Sequence, residues 1–269
     1  MKLALVQLSI EPGKPNENLE RALERIAAAA EGGADLVVLP ELWNVGFFAF
    51  DEYRSVAEPI DGPTLNAIRE AADEHDVGVL AGSIVEDLER THRSALASEG
   101  LANTSVLFSP SGEHLATYRK QHLFGYESEE ATRLVPGESL GVASFGGFTV
   151  GISTCYDLRF PELYRALVDE GVSLVLVPSA WPYPRLEHWK VLPRARAIEN
   201  LLYVAPTNGV GEFEDSTLLG RSAIIDPWGT TVAAAGDRPT ILTAEIAPEQ
   251  VESVREDFPA LRDRRDRYR

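Results

Sequence analysis

Cysteine is almost missing from this chain: Cys155 stands alone among 269 residues. No internal disulfide can therefore staple the fold, and packing or chemistry must account for the thiol. Lysine is nearly as scarce, confined to Lys2, Lys14, Lys120 and Lys190. Positive charge is short overall, since 25 basic against 42 acidic side chains leave a formal net charge of −17. That balance argues against nucleic acid or an anionic membrane as a partner. An acidic, lysine-poor surface fits adaptation to high intracellular salt, where screening removes most of the self-repulsion. No apolar run approaches the ~18 residues of a membrane span. The first residues, Met1-Lys-Leu-Ala-Leu-Val-Gln7, pass straight into a strand pattern without the features of a signal peptide. The expectation is a cytoplasmic protein, in a compartment that keeps a lone thiol reduced. A phosphate loop and a dinucleotide fingerprint are also missing, because Asn208-Gly-Val-Gly211 lacks a third glycine and reads as a turn. His75, His92, His114, His122 and His188 lack metal-site spacing, so neither a metal nor a cofactor is expected.

What is present is a regular alternation of strands and helices. Hydrophobic residues make up 44% of the chain, enough to exclude a disordered protein. Strand patterns fall at Leu3–Leu8, Leu36–Leu39, Val77–Val85, Thr104–Phe108, Leu115–Arg119, Phe148–Thr154, Leu174–Val177, Tyr203–Thr207, Ala223–Asp226, Thr230–Ala234 and Ile241–Ile246. Helical periodicity marks Asn16–Glu31, Thr64–Glu74, Pro161–Glu170 and a segment centred on Arg194–Asn200. Hairpins mixed with β-α-β units argue against a parallel barrel. They predict an α/β fold of two mixed sheets packed face to face with helices outside. The chain reads as one domain over 1–269, with 248–269 as a C-terminal tail.

Three reactive groups sit at predicted strand ends. Cys155 follows the run Phe148-Thr-Val-Gly-Ile-Ser-Thr154 and precedes a helix opening at Pro161, which places the sulfur on a sharp elbow. A free cysteine is most often a small buried hydrophobe. Here Glu41 ends the strand in Asp35-Leu-Val-Val-Leu-Pro-Glu41, and Lys120 ends the one in Leu115-Ala-Thr-Tyr-Arg-Lys120. Strand ends of one polarity converge on a crevice in α/β sheets. A thiol attacks a carbonyl or nitrile carbon as thiolate, so a neighbouring carboxylate and ammonium suit that chemistry. A Cys–His pairing with His122 or His188 is a competing arrangement.

The segments Val38-Leu-Pro-Glu41, Tyr118-Arg-Lys120 and Cys155-Tyr-Asp-Leu-Arg-Phe-Pro-Glu162 resemble the three signatures of the nitrilase superfamily of carbon–nitrogen hydrolases, in that family's order. The resemblance implies a four-layer α-β-β-α sandwich that pairs into a homodimer or larger homo-oligomer, with the 248–269 tail at the interface. It implies Glu41 as base, Lys120 and the Tyr156 N–H as oxyanion donors, and Cys155 as nucleophile, forming a thioester without metal or cofactor. A second glutamate before Pro136-Gly137 is expected at Glu130, with Glu127 and Glu129 as alternatives. The segment Trp181–Asn200 resembles the ω-amidase branch, which acts on 2-oxo acid amides such as 2-oxoglutaramate. That likeness offers Arg185 for a substrate carboxylate and Trp181, Phe47 and Tyr126 as pocket walls. Arg159 is expected to be structural, bonded within the elbow; Arg196, Glu199 and Asn200 are expected to be structural too, on a helix that helps form the dimer contact. Leu192-Pro193 is expected to break its helix early and redirect Arg194, and Leu201-Leu202 stands where the family is often more polar. N-carbamoyl amino acids, deaminated glutathione, and aliphatic amides or nitriles remain open as substrates. So does a catalytically silent binding module on the same scaffold.

Overall fold

Alternation within the apolar runs divides each strand between two cores, and that division sets the layer order. The computed structural model describes residues 1–91, 99–125, 129–213 and 216–265. In β1 (Lys2–Gln7), Leu3 and Leu5 enter one core while Ala4 and Val6 enter another. Strand β2 (Leu36–Val38) repeats the split and pairs in parallel with β1 and with β3 (Gly78–Leu80). The first sheet continues through β5 (Leu101–Phe108) to β4 (Ile84–Asp87), with β6 (His114–Arg119) also on β5, and β15 (Thr240–Glu245) closes its other edge. The second sheet runs β14 (Thr231–Ala234), β13 (Ala223–Ile225), β10 (Tyr203–Asn208), β9 (Leu174–Ser179), β8 (Phe148–Ile152) and β7 (Gly141–Phe145).

Between the sheets, Leu3, Leu5, Leu36 and Val38 meet Val150, Ile152, Leu174 and Leu176. Outside the first sheet, α1 (Pro15–Glu31) and α3 (Pro63–Glu74) bury Ala22, Ile26, Leu65 and Ile68 against Ala4, Val6 and Val37. Outside the second, α5 (Pro161–Asp169) and α6 (Leu186–Asn200) bury Leu163, Leu167, Trp189 and Ala197 against Val175, Val177 and Val204. Each large side chain so buried contributes ~1.5–3 kcal/mol relative to exposure. The result is the expected α-β-β-α sandwich of two mixed sheets. Short helices α2 (Tyr53–Val56) and α4 (Glu129–Arg133) lie in the loops, and α7 (Pro248–Asp257) sets Val251 in the inter-sheet core.

Four expectations change. Val77–Val85 is two strands, because Gly82 turns the chain at φ 63° and comes so close to Pro40 that a Cβ there would lie 2.0 Å from the Pro40 carbonyl oxygen. Strand β7 and the hairpin of β11 (Val210–Phe213) and β12 (Ser216–Leu219) were not foreseen. Helix α6 runs through Pro193 instead of breaking there. A mid-helix proline costs ~3 kcal/mol, and burial of Trp189, Pro193 and Ala197 on the second sheet offsets it. Leu201 and Leu202, at the end of that helix, are both buried.

Candidate active site

Strand polarity gathers the reactive groups. Strand β5 runs against β3, and β6 runs against β5, so β6 points the same way as β2. Their C-terminal ends leave the sheet on one side, delivering Glu41 two residues after Leu39 and Lys120 directly after Arg119. Parallel strands β8 and β9 deliver Cys155 and Ala180 from the second sheet. The two sheets touch at this edge, where Glu41 N–H lies 3.4 Å from the Ser179 carbonyl and Ala180 N–H donates to Glu41 Oε2 at 2.9 Å.

Each reactive side chain stands on a constrained turn. Leu42 has φ 43°, and its N–H is held by Ser83 Oγ at 2.9 Å, just beyond Gly82. Cys155 itself has φ 47° and opens a 3₁₀ turn, Cys155–Arg159, at the elbow that the sequence predicts. Left-handed backbone at a non-glycine residue costs ~1–2 kcal/mol, and such strain collects at functional sites. Gly137 packs so tightly on the β6 end that a Cβ would lie 2.2 Å from the Arg119 carbonyl oxygen, and its N–H bonds the Lys120 carbonyl at 2.9 Å.

The groups meet in a buried cluster. Lys120 Nζ donates to Glu41 Oε1 at 2.8 Å and to both oxygens of Glu130, at 2.8 and 3.0 Å. Phe124 N–H binds Glu130 Oε2 at 2.6 Å. Glu130 is thus the glutamate that joins the cluster; Glu129 faces outward to Arg133, and Glu127 lies outside the described residues. The Cys155 thiol lies within reach of Glu41, Lys120 and the Ala180 N–H, all of which act on its titration. Burial, then the Glu41 charge, pushes the thiol well above its ordinary range, with Lys120 working against both. Burial also raises the Glu41 carboxyl, which Lys120 opposes. Burial alone would lower Lys120, but Glu130 and Glu41 outweigh it and hold the ammonium charged. The resting arrangement is a protonated thiol beside the Glu41 carboxyl group, with a fixed cation alongside.

Above the cluster opens a pocket of about 130 Å³ lined by Phe47, Lys120, Cys155, Tyr156, Trp181 and Arg185, among others. Tyr126 lies outside the described residues. Phe47 sits over the Lys120 ammonium, 5.2 Å from nitrogen to ring centre. The Arg185 guanidinium lies 5.3 Å from the Phe124 ring centre. Arg159 corrects the expectation of a structural residue within the elbow: it lines the same pocket, 5.2 Å from the Trp181 ring centre, and bonds His188 Nδ1 at 3.0 Å. The reason is geometric, since the 3₁₀ turn carries it back toward the loop after β9. Neither arginine has a carboxylate partner among the described residues. Arg196, by contrast, is structural as expected: it bonds the Leu158 carbonyl and Glu199 and so fixes α6 to the elbow.

The sequence reading missed three residues. Asp157 accepts from Tyr118, His122 and the Thr154 N–H, so it ties the β6 end to the thiol's turn. His122 is therefore engaged with Asp157 and His188 with Arg159, which leaves the Cys–His pairing without support. Asn208 holds Trp181 by a reciprocal pair, its Oδ1 on the Trp181 N–H and its Nδ2 on the Trp181 carbonyl. Asn103 bonds both Glu41 and Glu130. Among the described residues no group of three or more His, Cys, Asp or Glu is placed to hold a metal ion, and no helix is long and apolar enough to cross a membrane.

The chain is similar to known proteins over nearly its whole length. The sequence is 37% identical to the 2-oxoglutaramate amidase of Paenarthrobacter nicotinovorans over 98% of this chain and 90% of that protein. The structure superposes on Saccharomyces cerevisiae Nit3, a member of branch 10 of the nitrilase superfamily, with a TM-score of 0.87 at 30% identity, covering 100% of this chain and 97% of the other. It also matches an amidase from Nesterenkonia sp. AN1 that carries the acetamide moiety of fluoroacetamide added at its active-site cysteine (TM-score 0.84, 29% identity, 98% and 94% covered). The family model described as carbon-nitrogen hydrolase matches residues 2–256, and the chain belongs to that family.

Proposed function

We propose that the protein is an ω-amidase-like enzyme that hydrolyses small carboxylated amides, 2-oxo acid amides such as 2-oxoglutaramate among them. The observation that carries this reading is the pocket itself: a thiol beside a buried carboxylate at the floor, and two arginines in the wall without carboxylate partners among the described residues. In a chain of net charge −17, two guanidiniums with no carboxylate partner among the described residues, set in a narrow pocket, suit an anionic ligand. The 2-oxoglutaramate amidase cited above supports the substrate class.

In this mechanism Glu41 takes the thiol proton as Cys155 Sγ attacks the amide carbon. Lys120 and the Tyr156 N–H stabilise the oxyanion, each such donor being worth ~3–4 kcal/mol in the transition state. Glu41 then passes its proton to the departing nitrogen, the C–N bond breaks, and ammonia leaves a thioester. Glu41 next draws a proton from water, hydroxide adds to the thioester, and the C–S bond breaks to release the acid and restore the thiol. Glu130 stays paired with Lys120 and fixes its ammonium. Arg185 and Arg159 hold the substrate carboxylate, and Trp181 and Phe47 shape the walls.

The test is ammonia release from 2-oxoglutaramate, measured beside a neutral aliphatic amide, a nitrile, an N-carbamoyl amino acid and a deaminated-glutathione amide. Preference for the 2-oxo acid amide, abolished by Cys155→Ala with the fold intact, is the expected result. Turnover that survives in the alanine variant overturns the thiol mechanism, and preference for another substrate overturns the substrate class. The reading extends to a homodimer in a reducing cytoplasm. Val191 and Ile198 stand exposed on the outer side of α6, and a second copy of the chain would cover them; sedimentation as a monomer would refute the assembly.

A further inference from the structure

Asn103 is a buried amide in the interior of β5, 1% exposed and next to the fully buried Ala102. Asparagine is a poor strand former, and an apolar side chain would fill this position without demanding hydrogen bonds. Its Nδ2 lies 2.9 Å from Oε1 of Glu41 and 3.3 Å from Oε1 of Glu130. Each of those oxygens also accepts from Lys120 Nζ, at 2.8 Å. Two donors, one charged and one neutral, thus bridge the same two oxygens. Because both oxygens act as acceptors, the amide must present its nitrogen to them. The Oδ1 end is buried without a hydrogen-bond partner among the described residues. The Asn103 carbonyl meanwhile accepts the Lys120 N–H at 2.9 Å.

We propose that Asn103 is a positioning residue for the reaction: its amide and the Lys120 ammonium together bracket the inner oxygens of Glu41 and Glu130, which fixes the Glu41 carboxylate beside the Cys155 thiol. The role rests on the amidase reading above. The groups that face Glu41 are Lys120 after β6, Glu130 on α4, Cys155 on the elbow and Tyr53 on α2, with the Ala180 N–H after β9. Of these, Glu130 is the one that carries a like charge. The amide relieves that repulsion without adding a titrating group, so its removal favours a proton on Glu41 and shifts loss of the base to higher pH.

Two variants test this. Asn103→Leu keeps the volume and loses the donor; Asn103→Asp keeps the shape and replaces the donor with a third acid. Each is read by the pH dependence of kcat/KM and by the pH dependence of Cys155 alkylation with iodoacetamide, which needs no substrate. In both variants the acid limb should move up by about one unit, and kcat should fall roughly ten- to a hundredfold. A lowered melting temperature with an unmoved acid limb overturns the proposal, as does unchanged kcat. Should the leucine variant fail to fold, the aspartate variant decides alone. Should the parent protein hydrolyse none of the amides, the substrate reading falls while the alkylation profile still decides the role of Asn103.

Discussion

The Tyr118 hydroxyl donates a 2.7 Å hydrogen bond to Oδ2 of Asp157, and through it the strand carrying the ammonium is tied to the turn carrying the thiol. The same oxygen accepts the Thr154 N–H at 2.8 Å, one residue before Cys155. Oδ1 accepts the backbone N–H of His122 at 3.0 Å, and the His122 ring stacks on Phe160 at 3.7 Å. One buried carboxylate therefore sets the spacing between two sheets at their reactive edge. Tyr118→Phe removes one bond to a charged group and should cost ~1.5–3 kcal/mol of stability. Thermal unfolding and steady-state kinetics together read the outcome: a lower melting temperature and a several-fold fall in kcat with little change in KM. Unchanged values for both would show that this strut does not hold the site.

A second expectation concerns pH. Burial raises the Glu41 carboxyl above its ordinary value of 4.5, against the pull of Lys120. A proton on Glu41 removes the base, so kcat/KM should decline as pH falls through a point above 4.5. The sign for stability follows from the same shift. A raised carboxyl binds its proton more tightly when folded, so its contribution is complete below the unfolded value and is lost as pH rises through the folded one. Glu41→Gln removes that loss. The variant should be inactive, and its melting temperature relative to the parent should climb as pH rises above about 4.5. A difference that shrinks as pH rises would refute the assignment.

Two face-to-face sheets were legible in the sequence because hairpins mixed with β-α-β units leave local marks, and the four-layer order followed from the family resemblance. The ends of their strands were legible for the same reason, and with them Glu41, Lys120 and Cys155. The missed features depend on what lies across the gap between elements. Gly82 reads as one more residue of an apolar run until Pro40 is placed against it. Pro193 carries a local penalty that only packing on the second sheet can offset. Asp157 and Asn103 each serve partners far along the chain, 39 and 62 residues away for Tyr118 and Glu41. A signal was present in one of them, since Asn103 is an amide in an otherwise strand-like run. Arg159 was placed wrongly because its direction depends on a 3₁₀ turn rather than on the α-helix that follows.

The two pocket arginines should separate by chemistry. Arg185→Ala and Arg159→Ala are each expected to raise KM for a carboxylated amide about ten- to a hundredfold, the usual consequence of losing a hydrogen bond between charged groups. A neutral amide of similar size should be nearly unaffected by Arg185→Ala. Arg159 also stacks near Trp181 and Tyr156, so Arg159→Lys should restore charge but not geometry and recover only part of the affinity. Equal effects on charged and neutral substrates would remove both residues from carboxylate recognition.

Salt should act on this chain in a direction set by its charge balance. Exposed ion pairs such as Arg133–Asp51 and Arg264–Asp169 contribute about 0–1 kcal/mol each and weaken as salt is added. Repulsion among the excess acids also weakens, and with a net charge of −17 that second effect is the larger. The Debye length falls from ~10 Å at 0.1 M to ~3 Å at 1 M, so screening continues well beyond ordinary ionic strength. The melting temperature should therefore rise across that range in potassium chloride. Chloride is the right salt for the measurement, since sulfate stabilises folded proteins by exclusion whatever their charge. A flat or falling curve would mean that the acidic surface is already balanced locally, and the high-salt reading of the composition would fail with it.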